Sequence, residues 1–172
     1  MNRRPLPFAP IWNLILALAA MIALAGCTAG SDLYFGSSSV KDAEKIVADA
    51  DWDKATRIKV DIRQNEFRPA IMRLYVGEPY IVSFENRDDS AHSVSASEFF
   101  GTIAMRQLVE KGEVRAKDVR LYAIGLEPGE TKEIHFVPTL DGWYQYSDGA
   151  SALLFWSRGE MLGTVGAIIV AK

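Results

Sequence analysis

The sequence predicts an all-β sandwich, and three observations support this. Apolar and charged residues alternate in short runs, as at Ile58, Val60 and Ile62, which is the period of a half-buried strand. Turn residues separate the runs, as at Pro128-Gly129, where proline and glycine are placed for type II geometry. About seven such runs occur in roughly 115 residues, a spacing typical of two packed sheets.

The predicted strands occupy residues 58–62, 71–76, 80–85, 119–124, 132–137, 142–146 and 166–171. A short helix is predicted from Ser39 to Trp52, where apolar residues recur at helical spacing. The segment 99–109 fits neither period, and we interpret it as a short helical or irregular insertion that follows the loop carrying His92. His135 alternates with apolar residues on a predicted strand, so we expect it at the surface.

The first 26 residues have the pattern of a secretory leader. Arg3 and Arg4 form a basic start, and the apolar run 11–24 is shorter than the about 20 residues that a spanning helix needs. The residues Leu24-Ala25-Gly26-Cys27 resemble the bacterial lipoprotein cleavage box, in which the cysteine is lipidated and becomes the mature N-terminus. The resemblance implies a lipid anchor on Cys27; the alternatives are an uncleaved anchor and a plain leader with an incidental thiol.

These patterns divide the chain into three parts. Residues 1–26 form the leader, residues 27–55 a lipidated cysteine with a Gly/Ser-rich tether and a short helix, and residues 56–172 the globular domain. Thr28 follows the cysteine, where lipoproteins retained in the inner membrane carry aspartate. The resemblance therefore implies a periplasm-facing protein that is anchored to the outer membrane.

Composition excludes several classes of function. Hydrophobic residues make up 49% and charged residues 24% of the 172, as in ordinary globular proteins. The formal net charge is −3 and basic residues do not cluster, so we expect no nucleic-acid binding. There is no nucleophile elbow, His-Glu-x-x-His motif or phosphate-binding loop, and we predict that the protein is not an enzyme.

Turn residues, strand ends and aromatic residues occur along the domain in an order that is typical of one family. The ordered features are Phe67-x-Pro69, Gly77, a strand ending in Asn86, His92, Pro128-Gly129, Phe136, Gly142-x-Tyr144-x-Tyr146 and Met161-Leu162-Gly163. In this order they resemble the cupredoxin family, the plastocyanin- and azurin-like copper proteins, over residues 56–172. The resemblance implies a Greek-key sandwich with a metal site at one end, built by the loop after the Asn86 strand and the loop before the last strand.

Carried over by position, the resemblance makes His92 the first histidine ligand and Met161 the axial methionine. Ser147 and Asp148 stand where the family has its cysteine, and Trp156 or Ser157 where it has its second histidine. A blue-copper centre depends on the thiolate. We therefore predict a degenerate site that handles copper and does not relay electrons.

Two ligand sets remain open. In the first, Met72 and Met105 join Met161 and His92 as soft ligands for Cu(I). The competing interpretation is that both methionines fill the core.

In the second set, carboxylates join His92 and suit a harder ion such as Cu(II), zinc or iron. The candidates are Asp148, then Glu160, and then Asp88 or Asp89. The competing interpretation is that these residues only form turns.

The residues Leu153, Leu154, Phe155 and Trp156 form an unusually apolar loop. An exposed apolar patch usually marks a partner or membrane surface, although this loop could instead fold back over an empty site. The alternative to copper handling is therefore a metal-free module that binds an envelope partner through this loop.

Overall fold

The chain divides into a unit of residues Met1–Gly30 and a unit of residues Ser31–Lys172. A computed structural model describes residues 33–149 and 165–172. The strands of this described part are β1 Leu33–Ser37, β2 Thr56–Arg63, β3 Glu66–Arg68, β4 Ile71–Tyr75, β5 Tyr80–Asn86, β6 His92–Ser95, β7 Ile103–Glu110, β8 Glu113–Lys117, β9 Val119–Leu126, β10 Thr131–Pro138, β11 Gly142–Asp148 and β12 Val165–Ala171. The helices are α1 Ala43–Asp49, a 3₁₀ turn Trp52–Lys54, and α2 Ser97–Phe100.

The strands form two six-stranded sheets. The first has the order β1-β9-β6-β11-β12-β4, and the second has the order β3-β2-β5-β10-β7-β8. The pairs β12–β4 and β2–β5 are parallel, and the other pairs are antiparallel. This arrangement confirms the predicted all-β sandwich.

One core joins the two sheets. Its side chains include Val94, Leu121 and Tyr146 from the first sheet and Val60 and Phe136 from the second. Most of these positions alternate along their strands with more exposed ones, as the sequence pattern predicts. No helix among the described residues is long and apolar enough to cross a membrane.

The interpretation of segment 99–109 is wrong for most of its length. The short helix exists, as α2, but strand β7 follows it and pairs with β10. The pairing of β10 with β7 shifts register between His135 and Phe136. Such an irregularity adds a residue on one strand, so the alternation that identifies a strand in the sequence is interrupted.

The surface position predicted for His135 is also wrong, because the residue is only 8% exposed. Helix α1 packs on β7 and β10, which covers part of the outer face of the second sheet. The ring of Trp52 lies 6.1 Å from the His135 ring, between centroids. Alternation along β10 identifies the outer face but cannot show that an earlier segment of the chain covers it.

Candidate metal site

The site begins where β5 ends, at the fully buried Asn86. Its side-chain Nδ2 donates to the carbonyl oxygens of Ser90, at 2.8 Å, and of Leu126, at 3.0 Å. Its Oδ1 accepts the backbone N–H of Asp88 at 3.0 Å. The residue therefore shapes the turn that follows the strand and ties that turn to β9.

His92 lies just after this turn. The family resemblance implied that it lies in a loop, but it lies in a strand. It is the first residue of β6 and pairs with Leu126 of β9. Its side chain is 1% exposed. The ring is thus an interior group at the end of the sandwich.

Asp148 lies beside the first ring nitrogen. Its Oδ2 is 2.6 Å from His92 Nδ1, and its Oδ1 accepts the backbone N–H of Ser93 at 2.9 Å. Strands β11 and β6 are neighbours, and Asp148 pairs with Val94, so the sheet register brings the two residues together across 56 positions of sequence. Asp148 is fully buried.

Asp88 lies beside the second ring nitrogen. Its Oδ2 is 3.1 Å from His92 Nε2, and the hydroxyl of Ser90 lies 3.4 Å from the same atom. The Asp88 carboxylate also accepts the backbone N–H groups of Gln64, at 2.7 Å, and Asn65, at 2.9 Å. Burial alone would raise the pKa of Asp88, but these two backbone donors and the neighbouring His92 together hold the pKa of this carboxyl below its ordinary value.

The two nitrogens of an imidazole point in different directions. Asp148 and Asp88 therefore cannot both bind the same ion as His92. An ion on Nδ1 reaches Asp148, whereas Asp88 lies on the Nε2 side. Within residues 33–149 and 165–172, no group of three or more His, Cys, Asp or Glu residues could hold a metal. The described part therefore supplies two donor atoms, Nδ1 and a carboxylate oxygen.

The methionines considered as soft ligands lie in the core. Met105 is 2% exposed on β7 and Met72 is 3% exposed on β4, and both belong to the apolar cluster between the sheets. This is the position that the core-filling interpretation expects. Asp89, the other acidic residue of the turn, is exposed. A ligand role for Met105 stays a prediction.

Several predicted residues lie outside the described residues. These are Cys27, Leu153, Leu154, Phe155, Trp156, Glu160 and Met161. Sequence reasoning weighed Asp88 as a carboxylate ligand or as a turn residue and missed its contact with the 64–65 turn. No local pattern signals that contact, because it joins positions 23 and 24 residues apart.

No protein-family model matches the chain, and no curated protein matches it. Among solved structures, an oxidised amicyanin mutant is similar at 15% identity and a TM-score of 0.41, over 70% of this chain and 88% of that one. Auracyanin B is similar at 16% identity and a TM-score of 0.43, over 69% and 90%.

A third similar structure is the metal-binding domain of the Cu(I)-exporting P-type ATPase CopA of Streptococcus pneumoniae D39, with Cu(I). Its identity is 17% and its TM-score 0.41, over 72% of this chain and 93% of that one. Likenesses with TM-scores below 0.5 carry no argument about function.

Proposed function

We propose that this cupredoxin-like protein binds and handles copper through His92 and Asp148, with Met161 as a further ligand, and does not transfer electrons as a blue-copper protein. The observation that carries the proposal is the 2.6 Å separation between His92 Nδ1 and the Asp148 carboxylate. By the family resemblance, Asp148 stands at the position of the cysteine ligand. An oxygen donor and an imidazole thus face each other where the family places its metal.

The pair of His92 Nδ1 and the Asp148 carboxylate fits Cu(II) better than Cu(I). Imidazole and carboxylate suit harder ions, whereas thiolate and thioether select Cu(I). Neither Nδ1 nor the carboxylate oxygen can hydrogen-bond to the other without a proton between them. An ion with bonds of about 2 Å to each atom would replace that proton and need only a small separation of the two donors.

The test is a copper titration of the full-length, metal-free protein, with Cu(II) and Cu(I) in separate arms. We expect the wild-type chain to take up one Cu(II) and His92→Gln to lose this uptake. His135→Gln is the matched control, because His135 is also buried and also lies 2.6 Å from a carboxylate oxygen. Absence of stoichiometric copper in both arms, or equal loss in the two variants, would contradict the proposal.

One observation favours the metal-free alternative. Both ring nitrogens of His92 have protein partners, so the ring is satisfied without an ion. In that case the protein is a module that binds an envelope partner through residues 153–156. Elemental analysis of the protein purified from its native envelope separates the two candidates: the module contains no copper, and the copper protein contains about one ion per chain.

The proposed setting is the periplasmic face of the outer membrane, reached by lipidation of Cys27. The support is the pattern Leu24-Ala25-Gly26-Cys27 after an apolar run. Acyl chains anchor through buried methylenes at about 0.8 kcal/mol each. Labelled fatty acid should enter the wild-type chain and not Cys27→Ser, and labelling of both or of neither would contradict this anchor.

A further inference from the structure

We infer that Asp88 is a positioning residue for His92, which fixes the ring from the Nε2 side so that Nδ1 faces Asp148. The inference concerns the orientation of the ring. Its consequence for copper affinity rests on the proposed function.

The Asp88 carboxylate is held on several sides. One oxygen accepts the Gln64 N–H, and the other accepts the Asn65 N–H and faces His92 Nε2. The side chain is 14% exposed, and the backbone N–H of Asp88 is fixed by Asn86 Oδ1. An ionised carboxylate can only accept hydrogen bonds, so the contact with Nε2 requires that Nε2 carry the proton.

The same carboxylate supports the turn between β2 and β3. Gln64 and Asn65 are the two central residues of this turn, and their φ angles are 57° and 56°. Positive φ at both central residues is the geometry of a tight hairpin turn and is uncommon for residues other than glycine. Asp88 accepts both of the N–H groups in this turn, which links the hairpin and the histidine through one side chain.

Metal-binding histidines generally donate their second N–H to a carboxylate or carbonyl group. That contact fixes the tautomer and ring orientation, and its removal typically lowers metal affinity by about 10- to 100-fold. Asp88 has the position that this role requires. The geometry therefore separates the two aspartates: Asp148 lies on the ligand side of the ring, and Asp88 on the orienting side.

The experiment compares Asp88→Asn with Asp89→Asn in the full-length protein. Both variants remove one negative charge from the same turn, but Asp89 is exposed. The readouts are the ¹⁵N signals of the His92 ring in the metal-free protein and the Kd for Cu(II). In Asp88→Asn the amide oxygen can keep the contacts of Oδ2 with the Asn65 N–H and Nε2, or the contact of Oδ1 with the Gln64 N–H, but not all three, and it carries no charge. The Nε2 side of the ring therefore loses its charged acceptor, and we expect the His92 ring signals to shift and the Kd for Cu(II) to rise about 10- to 100-fold.

A third variant separates positioning from stability. Asn65→Gly eases the positive φ of the turn and should restore part of the stability that Asp88→Asn loses, without restoring the carboxylate. We expect the Asp88→Asn/Asn65→Gly double variant to regain stability and to keep the altered ring signals and weaker copper binding. Recovery of copper affinity together with stability would overturn the inference.

Two further outcomes are distinguishable. If the His92 ring signals and the Kd for Cu(II) are the same in Asp88→Asn as in Asp89→Asn, Asp88 serves only the turn. That result would overturn the inference. If the wild-type chain binds no copper while Asp88→Asn still changes the ring signals, the proposed function fails and the positioning of the ring is supported.

Discussion

The surroundings of the two histidines differ, although each ring is buried and each has a carboxylate oxygen at 2.6 Å. The partner of His135 is Glu133, two residues away on the same strand, and its other nitrogen lies 3.4 Å from the Gln107 amide. His92 instead lies between two carboxylates, from the turn after β5 and from the end of β11.

This difference distinguishes the candidate site at His92 and Asp148 from the His135–Glu133 pair at the side of the sheet. Glu133 keeps 31% of its side chain exposed, so its pair with His135 is close to solvent. Asp148 is fully buried and His92 nearly so, which makes each dependent on the other's polar atoms. Burial and one carboxylate are common to both histidines. Of these two rings, only His92 lies between two carboxylates that come from separate segments of the chain.

The largest expected effect is on stability. Asp148→Ala leaves the Ser93 N–H and His92 Nδ1 without this acceptor in the interior, and we expect the free energy of unfolding to fall by about 3 kcal/mol. Glu133→Ala removes a partly exposed carboxylate and should lower the free energy of unfolding by less than about 1 kcal/mol. Urea denaturation of both variants measures the contrast. Equal losses would show that the two pairs are energetically alike.

A spectroscopic change tests the position of Asp148. The chain has one cysteine, Cys27, and so lacks a thiolate in the domain. The wild-type protein with Cu(II) should therefore show no intense visible absorption, whereas Asp148→Cys should gain it, because a thiolate bond to copper produces that band. His135→Cys is the control and should show none. An intense band in the wild-type protein would contradict the proposed oxygen and nitrogen ligands.

The smallest expected effect is a change in acid stability. The pKa of Asp88 in the folded protein is held below its value in the unfolded chain, which is about 3.9. Its ionised form therefore stabilises the fold above that pH, and this contribution is lost as the pH falls through the lowered pKa. Asp88→Asn should flatten the fall in unfolding free energy in this acid range. Identical acid profiles for Asp88→Asn and the wild-type protein would contradict the role given to Asp88.

The fold could be predicted because its main signal is local. Alternation and turn residues lie within each strand, so β2, β5 and β11 are recognisable one at a time. Strand β7 was missed because its pairing with β10 shifts register, which interrupts the alternation. The burial of His135 was missed because its cover, Trp52, comes from a segment more than 80 residues earlier in the sequence.

The site could be predicted only in part. The family resemblance placed Asp148 at the cysteine position, and the structure brings that residue to His92 Nδ1. The contact of Asp88 with the Gln64–Asn65 turn depends on tertiary packing of β2 beside β5 and has no sequence signal. The ligand roles of His92 and Asp148 stay predictions until an ion is located.

A structure determined from crystals grown with Cu(II), with anomalous scattering to locate the ion, tests the central claim most directly. The proposed function predicts one copper ion bonded to His92 Nδ1 and to an oxygen of Asp148, with Asp88 still in contact with Nε2. An ion bound elsewhere, or an unchanged contact of 2.6 Å between Nδ1 and the Asp148 carboxylate with no copper beside it, would contradict the proposal.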